Sequence, residues 1–180
     1  YERKFLSLFF SRLNIIDDNN RANQPFKYKD KYLIFNGEIY NHLELKSELK
    51  NKGYSFKTQS DTEVLIKALD YWGESGIKKL EGMWSFFFYD CTKKKGILCR
   101  DRFGEKPLFY YHKNNEFIFS SETKTLKRIL NKKLSLNKNK VSDFLNNGYK
   151  ALHKNNSSFF KEIQEFPRAC YFIFENKKII

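Results

Sequence analysis

An asparagine and a glycine at positions 36 and 37 are the pair in this sequence best suited to stabilise a developing negative charge. The preceding residues 32–35 are β-branched and aromatic, which predicts a buried strand. We expect this strand to end at Asn36-Gly37, because both residues tolerate the left-handed conformations of a tight turn. A side-chain amide and a backbone N–H would then lie side by side, as in an oxyanion hole. The dipeptide alone leaves an ordinary hairpin turn open as the alternative.

A second polar residue that could take part in chemistry is Asp61, at the start of a predicted helix. Ser60 and Glu63 have the spacing of a capping box, and an apolar helical face follows from Val64 to Trp72. Asp61 therefore falls in the first turn, where the helix dipole favours a carboxylate. Without further context, this local role accounts for Asp61.

Two further helix starts and ends can be predicted around the Asn-Gly pair. Asn41 and Glu44 have the spacing of another capping box, and Leu45 and Leu49 give the following helix an apolar side. Gly53 is placed to end this helix. A strand, a short connection and a helix therefore follow one another at residues 32–52.

Length and composition indicate a single folded domain. The chain has 180 residues, 41% hydrophobic, with 19 Phe and 11 Tyr, so it can bury a core. No apolar run reaches the ~18 residues needed to span a bilayer, and no signal peptide is visible, so we expect no membrane partner. Three cysteines at wide spacing (Cys91, Cys99 and Cys170) fit neither a disulfide framework nor a metal site, which favours a reducing cytoplasm.

The net charge of +13 raises the question of nucleic-acid binding. The basic clusters, at residues 93–95 and 131–133, fall in predicted turns, and no nucleic-acid-binding motif accompanies them. We therefore interpret them as solvated surface and expect no nucleic-acid partner. No phosphate-binding glycine loop is present, and His42, His112 and His153 have no Cys or His partner at metal-ligand spacing.

The order of predicted elements favours an α+β or layered α/β fold. Residues 82–90 are apolar on both faces, as in a strand covered by two layers. Shorter strands are predicted at residues 5–10, 55–58, 96–100, 107–112, 116–120, 169–175 and 177–180. Further helices are predicted at residues 121–130 and 141–147. Adjacent strands in the central region suggest an antiparallel meander, so we expect two antiparallel sheets with helices outside.

Seven motifs in one order resemble a known family. They are the segments 12–17 (RLNIID), 23–25 (NQP), 35–41 (FNGEIYN), 60–64 (SDTEV), 80–84 (LEGMW), 100–108 (RDRFGEKPL) and 120–124 (SSETK). Together they resemble the class II, N-terminal-nucleophile glutamine amidotransferase domain of glutamine-hydrolysing asparagine synthetases. The resemblance covers nearly the whole chain, and the segment 100–107 favours the asparagine synthetase branch over other class II amidotransferases.

The resemblance implies a fold and a reaction. The fold would be a four-layer αββα sandwich of two antiparallel sheets flanked by helices. An N-terminal cysteine, with its own α-amino group as base, would attack the side-chain amide of glutamine and form a thioester that water hydrolyses to glutamate. The ammonia would pass to a downstream synthetase domain, where ATP and Mg are expected and aspartate is amidated. No cofactor is expected in this segment.

The resemblance also assigns roles to particular residues. Arg12 would hold the α-carboxylate of glutamine, which suits a forked guanidinium. The backbone of Leu13, Asn14, Ile15 and Ile16 would line the same pocket. Asn36 and Gly37 would form the oxyanion hole, and Glu38 and Asp61 would contact the α-amino group of glutamine.

The chain departs from the family pattern at its start. Tyr1 is no nucleophile, and an internal cysteine lacks the free α-amino group that the mechanism needs. Phe9-Phe10 and Arg168-Ala169 replace the family's Gly-His and Pro-Gly. We expect residues 1–180 to be an amidotransferase domain truncated at its N-terminus, with a synthetase domain downstream. The alternatives are a glutamine-binding or structural domain without the nucleophile, or an amidotransferase serving another acceptor. A homodimer is an open alternative for the assembly.

Overall fold

Two antiparallel sheets form the centre of the computed structural model, which describes residues 2–3, 6–10, 23–114, 116–152, 155–175 and 178–179. The strands in chain order are β1 (Glu2–Arg3), β2 (Leu6–Ser7), β3 (Phe26–Tyr28), β4 (Lys31–Ile39), β5 (Gly82–Asp90), β6 (Lys95–Arg100), β7 (Phe109–Lys113), β8 (Glu116–Ser120), β9 (Gln164–Glu165), β10 (Tyr171–Glu175) and β11 (Lys178–Ile179). The α-helices are α1 (His42–Asn51), α2 (Asp61–Trp72), α3 (Thr123–Leu130) and α4 (Lys138–Asn147), and 3-10 helices cover Gly73–Lys79 and Gly148–Ala151.

The sheets differ in size within the described residues. The larger has six strands in the order β11-β10-β6-β5-β4-β3, and the smaller has three in the order β8-β7-β9. β1 and β2 pair separately as a short hairpin. β4 and β5 pair without a break from Lys31 opposite Asp90 to Ile39 opposite Gly82. This long regular ladder fixes the position of the candidate site.

Side-chain alternation along the strands produces the layers. On one face of the larger sheet, Phe35, Phe86 and Phe88 pack in a core with Leu45 of α1 and Leu65 of α2. The opposite side chains of the same strands pack against the smaller sheet in a second core. The other face of the smaller sheet is covered by α3. The order of layers is therefore helix, sheet, sheet, helix, and the predicted αββα sandwich of two antiparallel sheets is confirmed.

β5 is rich in aromatic side chains on both faces because both faces are covered. Trp84, Phe86 and Phe88 face the helical core, while Phe87 and Tyr89 face the second sheet. All five are at most 5% exposed. Burying each such side chain contributes about 1.5–3 kcal/mol to folding.

The local prediction at Asn36-Gly37 was wrong in one respect. The strand does not end there: β4 continues to Ile39, because β5 supplies a partner for every residue of the segment. The pair is therefore part of a strand and not of a turn. Residues 55–58, predicted as a strand, form a loop.

Neither predicted capping box forms both of its reciprocal bonds. In the box at α2, Glu63 bonds Lys57 and Thr58, while the Ser60 N–H donates to the Thr58 hydroxyl. Ser60 caps α2 by accepting from the Thr62 N–H at 3.1 Å. Asn41 precedes α1 but makes no side-chain capping bond. Its amide instead joins a neighbouring loop, donating to the Lys79 carbonyl at 2.9 Å and accepting from the Glu81 N–H at 3.0 Å.

Candidate active site

The candidate site lies along the edge of β4 that faces away from β5. β3 covers this edge only at residues 31–33. Further along, two side chains take the place of a neighbouring strand. The Gln24 amide donates to the Phe35 carbonyl at 2.9 Å and accepts from the Phe35 N–H at 2.5 Å. Asp61 Oδ2 accepts from the Ile39 N–H at 3.0 Å.

Gly37 lies midway between these two bonded positions. In a regular strand, every second residue directs its N–H to the same edge, so the Gly37 N–H points the same way as those of Phe35 and Ile39. Its partner residue in β5, Trp84, bonds through both its N–H and its carbonyl to Asp101, away from β4. Among the described residues, none is found bonded to the Gly37 N–H. Within the described part of the chain, this backbone donor is therefore directed away from β5, towards the uncovered edge of the strand.

Only glycine fits at position 37. Its φ is +154°, and a Cβ there would lie 2.1 Å from the Met83 carbonyl oxygen and 2.8 Å from the Trp84 Cα. Both contacts are to the backbone of a paired strand, which cannot rotate away. β4 and β5 thus approach each other closely at Gly37, as glycine permits.

The Asn36 side chain lies on the face of β4 opposite Phe35. Phe35 packs in the helical core, whereas Asn36 is half-buried and lines a cavity of about 760 Å³ beside the strand edge. Gly37, Glu38 and Asp61 line the same cavity. The structure therefore brings together four of the residues that the sequence and the resemblance single out.

The remaining lining residues come from several parts of the chain. They are Phe9, Phe10, Gln24, Phe35, Ser60, Thr62, Lys106, Pro107, Ser120, Ser121, Glu122 and Thr125. The volume is in the range of small-molecule sites. Gln24, Lys106 and Ser120 lie within the sequence motifs, but no role was predicted for them.

The buried Asp61 carboxylate would be stabilised by a cation. Asp61 is only 5% exposed, and burial raises its pKa, with a further contribution from the negative charge of Glu38. The bond from the Ile39 N–H and the nearby His42 act in the opposite direction, without reversing the shift. A positively charged group bound beside Asp61 and Glu38 would favour the ionised form.

The segment that leads into Asp61 is fixed by a buried ion pair. Glu63 accepts from the N–H groups of Lys57 and Thr58 and from the Thr58 hydroxyl, and it pairs with Lys67 one turn later. Burial alone would raise the pKa of Glu63, but the bonds from Lys67 and the backbone lower it below its usual value. Glu63, which was predicted to form a capping box with Ser60, therefore anchors the loop before α2.

The charged segment 100–107 is a scaffold for one wall of the cavity. Arg100 is buried, bonds the Lys106, Gly104 and Phe166 carbonyls and pairs with Glu165. The fully buried Asp101 carboxylate accepts four backbone N–H groups, those of residues 84, 103, 105 and 106. Lys106 is therefore held at the cavity through both its backbone N–H, bonded to Asp101, and its carbonyl, bonded to Arg100.

The predicted residues Arg12, Leu13, Asn14, Ile15 and Ile16 lie outside the described residues. Their assignment to the glutamine pocket stays a prediction.

The internal cysteines are placed as structural groups. Cys99 is 1% exposed and accepts from the Trp84 indole N–H at 3.4 Å, and burial raises the pKa of its thiol to about 12. Cys91 and Cys170 are half-buried and pack at the edge of the core between the sheets. No cysteine is among the described residues that line the cavity.

The described residues contain neither a candidate metal-binding cluster nor a helix able to span a membrane. No group of three or more His, Cys, Asp or Glu side chains in this part of the chain could hold a metal ion. In the same residues, no helix is both long and apolar enough to cross a membrane.

Comparison with known proteins agrees with the geometry. The model of the glutamine amidotransferase domain family matches residues 1–180. The chain belongs to this family. The predicted resemblance to glutamine amidotransferases is thereby confirmed.

The similar curated proteins are glutamine-hydrolysing asparagine synthetases. Asparagine synthetase [glutamine-hydrolyzing] 1 of Bacillus subtilis (strain 168) is 45% identical over 119 residues, covering 65% of this chain and 19% of that protein. A putative asparagine synthetase [glutamine-hydrolyzing] 2 of Methanocaldococcus jannaschii is 37% identical over 158 residues, covering 77% of this chain and 30% of that protein. The amidotransferase domain described here spans less than a third of the length of these relatives.

Solved structures confirm the fold. A glutamine phosphoribosylpyrophosphate amidotransferase from B. subtilis, complexed with ADP and GMP, matches with a TM-score of 0.57 at 20% identity, covering 87% of this chain and 30% of that one. An allosteric regulatory enzyme of purine biosynthesis matches with a TM-score of 0.58 at 18% identity, covering 93% of this chain and 33% of that one. The amidotransferase domain therefore shares its αββα architecture with both enzymes.

Proposed function

We propose that this amidotransferase domain hydrolyses glutamine to glutamate and ammonia as the glutaminase part of an asparagine synthetase. The observation that carries the proposal is the open edge of β4, where the Asn36 side chain and the Gly37 N–H border one cavity with Glu38 and Asp61. Two donors beside two carboxylates suit a ligand with an oxygen that becomes negative and an ammonium group. Glutamine has both.

In this mechanism, the Asn36 amide and the Gly37 N–H would hold the amide oxygen of glutamine as a nucleophile adds to the carbonyl carbon. Preorganised donors aimed at such an oxygen lower the barrier because they need no reorganisation during the reaction. Asp61 and Glu38 would bind the α-ammonium group, and Arg12 the α-carboxylate. These contacts would fix the distance from the amino-acid end of the substrate to the oxyanion hole.

The nucleophile would be an N-terminal cysteine thiol. Its α-amino group would take the thiol proton, and the sulfur would bond to the amide carbon. Collapse of the tetrahedral intermediate would break the C–N bond, and the leaving nitrogen would take that proton and depart as ammonia. Water would then hydrolyse the thioester to glutamate and restore the thiol.

The proposal extends to the rest of the protein. The relatives are named as asparagine synthetases, and a synthetase domain would receive the ammonia and amidate aspartate with ATP and Mg. This chain lacks a phosphate-binding glycine loop, so nucleotide chemistry would belong to that domain. The homodimer, the cytoplasmic location and the absence of a nucleic-acid partner stay predictions.

The test compares Asn36→Ala with Asn41→Ala in the full-length protein. Asn36→Ala should lower the rate of glutamate release by about 10²–10³-fold, the usual effect of losing one oxyanion donor, and leave ammonia-dependent asparagine synthesis intact. Asn41→Ala is the matched control because Asn41 does not line the cavity. It should change neither activity by more than a few fold.

Three results would contradict the proposal. Equal loss of both activities in Asn36→Ala would remove its role in the oxyanion hole. A wild-type protein that binds glutamine but releases no glutamate would favour a non-catalytic glutamine-binding domain. Ammonia transfer to an acceptor other than aspartate would identify a different amidotransferase.

A further inference from the structure

We propose that Gln24 is a positioning residue for the oxyanion hole, an inference that rests on the proposed glutaminase function. Its side-chain amide takes the place of a neighbouring strand at Phe35. It thereby orients the backbone that leads into Asn36 and Gly37, the residues that provide the two donors. The contacts that support this are the paired bonds between the Gln24 amide and the Phe35 backbone, at 2.9 and 2.5 Å.

These two bonds determine the local backbone. The Phe35 N–H belongs to the peptide plane before Phe35, and the Phe35 carbonyl belongs to the plane that also contains the Asn36 nitrogen. Holding both planes fixes the φ and ψ of Phe35 and the direction in which the chain enters Asn36. The Asn36 side chain leaves the strand from the next Cα, so its direction into the cavity depends on this plane.

The next residue makes such a clamp necessary. Gly37 has a φ of +154°, and glycine resists rotation about its backbone bonds less than any other residue. At the far side, the Ile39 N–H is held by Asp61 at 3.0 Å. Gln24 and Asp61 therefore hold β4 on either side of Gly37, where β3 no longer covers the strand.

The alternative explanation is that Gln24 only closes a sheet edge and contributes to stability. The two explanations are separated by the kcat of Gln24→Glu, in which pH makes or breaks the bonds to Phe35: if Gln24 only closes the edge, stability falls with ionisation but kcat of the folded protein does not. A protonated carboxyl offers one donor and one acceptor and reproduces both amide bonds. An ionised carboxylate has no donor and places a negative charge against the Phe35 carbonyl.

A matched control exists at the end of β4. The Asn41 amide also pairs with backbone groups, donating to the Lys79 carbonyl at 2.9 Å and accepting from the Glu81 N–H at 3.0 Å, but it does not line the cavity. Asn41→Asp therefore makes the same exchange of amide for carboxyl in a side chain that also donates to one backbone carbonyl and accepts from one backbone N–H. A general effect of this exchange on the fold would be seen in both variants.

The experiment measures glutamate release by the full-length protein and its two variants from pH 5 to pH 8. For Gln24→Glu we expect kcat relative to wild type to fall about 10–100-fold as the pH rises through the carboxyl pKa, with KM within about threefold, because misplaced donors affect the transition state most. For Asn41→Asp we expect kcat within about twofold of wild type throughout. A pH-independent loss in Gln24→Glu, an equal loss in Asn41→Asp, or a change in KM alone would overturn the proposal.

A second measurement does not depend on catalysis. Hydrogen exchange of the segment 33–39 in the full-length protein should be faster in Gln24→Glu than in wild type at pH 7, and equal to wild type at pH 5. A wild-type protein without glutaminase activity would refute the proposed function. With or without that activity, unchanged exchange at pH 7 would overturn the positioning role of Gln24, because its bonds would then not hold the Phe35 backbone.

Discussion

Replacing Gly37 by alanine tests the close approach of β4 and β5. The added Cβ would lie 2.1 Å from the Met83 carbonyl oxygen and 2.8 Å from the Trp84 Cα, and the φ of +154° is one that alanine rarely adopts. Overpacking against fixed atoms costs typically about 1–3 kcal/mol, and a disfavoured backbone conformation about 1–3 kcal/mol more. Gly37→Ala should therefore reduce the free energy of unfolding by about 2–6 kcal/mol.

A second glycine provides a control for the cost of the disfavoured backbone conformation alone. Gly53 has a φ of +88°, and a Cβ there would meet no atom within 4 Å. Gly53→Ala should therefore lose only the conformational part, about 1–3 kcal/mol. The difference between the two variants measures the collision between the strands.

The assay is urea denaturation followed by tryptophan fluorescence, since Trp84 is buried at the affected contact. Glutamate release is measured in parallel. Alanine keeps the backbone N–H, but the collision with β5 should displace it, so Gly37→Ala should lower the rate by about 10²-fold, as for a lost oxyanion donor, whereas Gly53→Ala should not. If Gly37→Ala were no less stable than Gly53→Ala, the close approach of the strands would be refuted. If it kept full activity, the collision with β5 would not displace the backbone N–H at position 37 from the oxyanion hole.

Three further predictions concern buried ionisable groups. The folded-state pKa of Asp61 is raised, so its stabilising contribution is present below the usual value of 3.8 and is lost as the pH rises. In urea denaturation, the stability of Asp61→Asn relative to wild type should therefore increase between pH 4 and pH 7. The KM of this variant for glutamine should rise. An equal stability difference at both pH values would contradict the raised pKa. Glu63→Gln should lose about 3–5 kcal/mol because Lys67 is left buried without its partner, and adding Lys67→Met should recover part of this loss; strictly additive effects would show that the pair is not coupled. Cys99 should resist alkylation at pH 8 until the protein unfolds, as mass spectrometry of labelled peptides would show, because its thiol is buried and its pKa is about 12; fast native labelling would contradict its burial.

Much of the fold could be predicted because the strands carry a strong local signal. Residues 82–90 form β5 as predicted, since a run that is apolar on both faces needs two covering layers. The helix from Asp61 likewise follows from its cap and its apolar face. The weaker segment 55–58 was misassigned, because its backbone is bonded by the Glu63 side chain instead of by a strand.

Asn36 and Gly37 were predicted as oxyanion donors from a local pattern that proved partly wrong. Asn36-Gly37 has the composition of a turn, but the glycine is required here by the approach of β5 and not by a change of chain direction. The role of Asp61 as a partner of the Ile39 N–H depends on a contact across 22 positions of sequence. No local pattern encodes such a contact, and the same holds for Gln24 and Phe35.

The way in which the edge of β4 is completed explains why a donor remains available there. A neighbouring strand would offer acceptors at every second residue and would therefore bond the N–H groups of Phe35, Gly37 and Ile39 alike. Gln24 and Asp61 bond only the first and the last of these. Two side chains thus close the sheet edge by bonding N–H groups four residues apart, at Phe35 and Ile39, and within the described residues they leave a gap between them in which the N–H of Gly37 is uncovered. A ligand oxygen can enter this gap, and the same two bonds that stabilise the edge keep the remaining N–H directed at it.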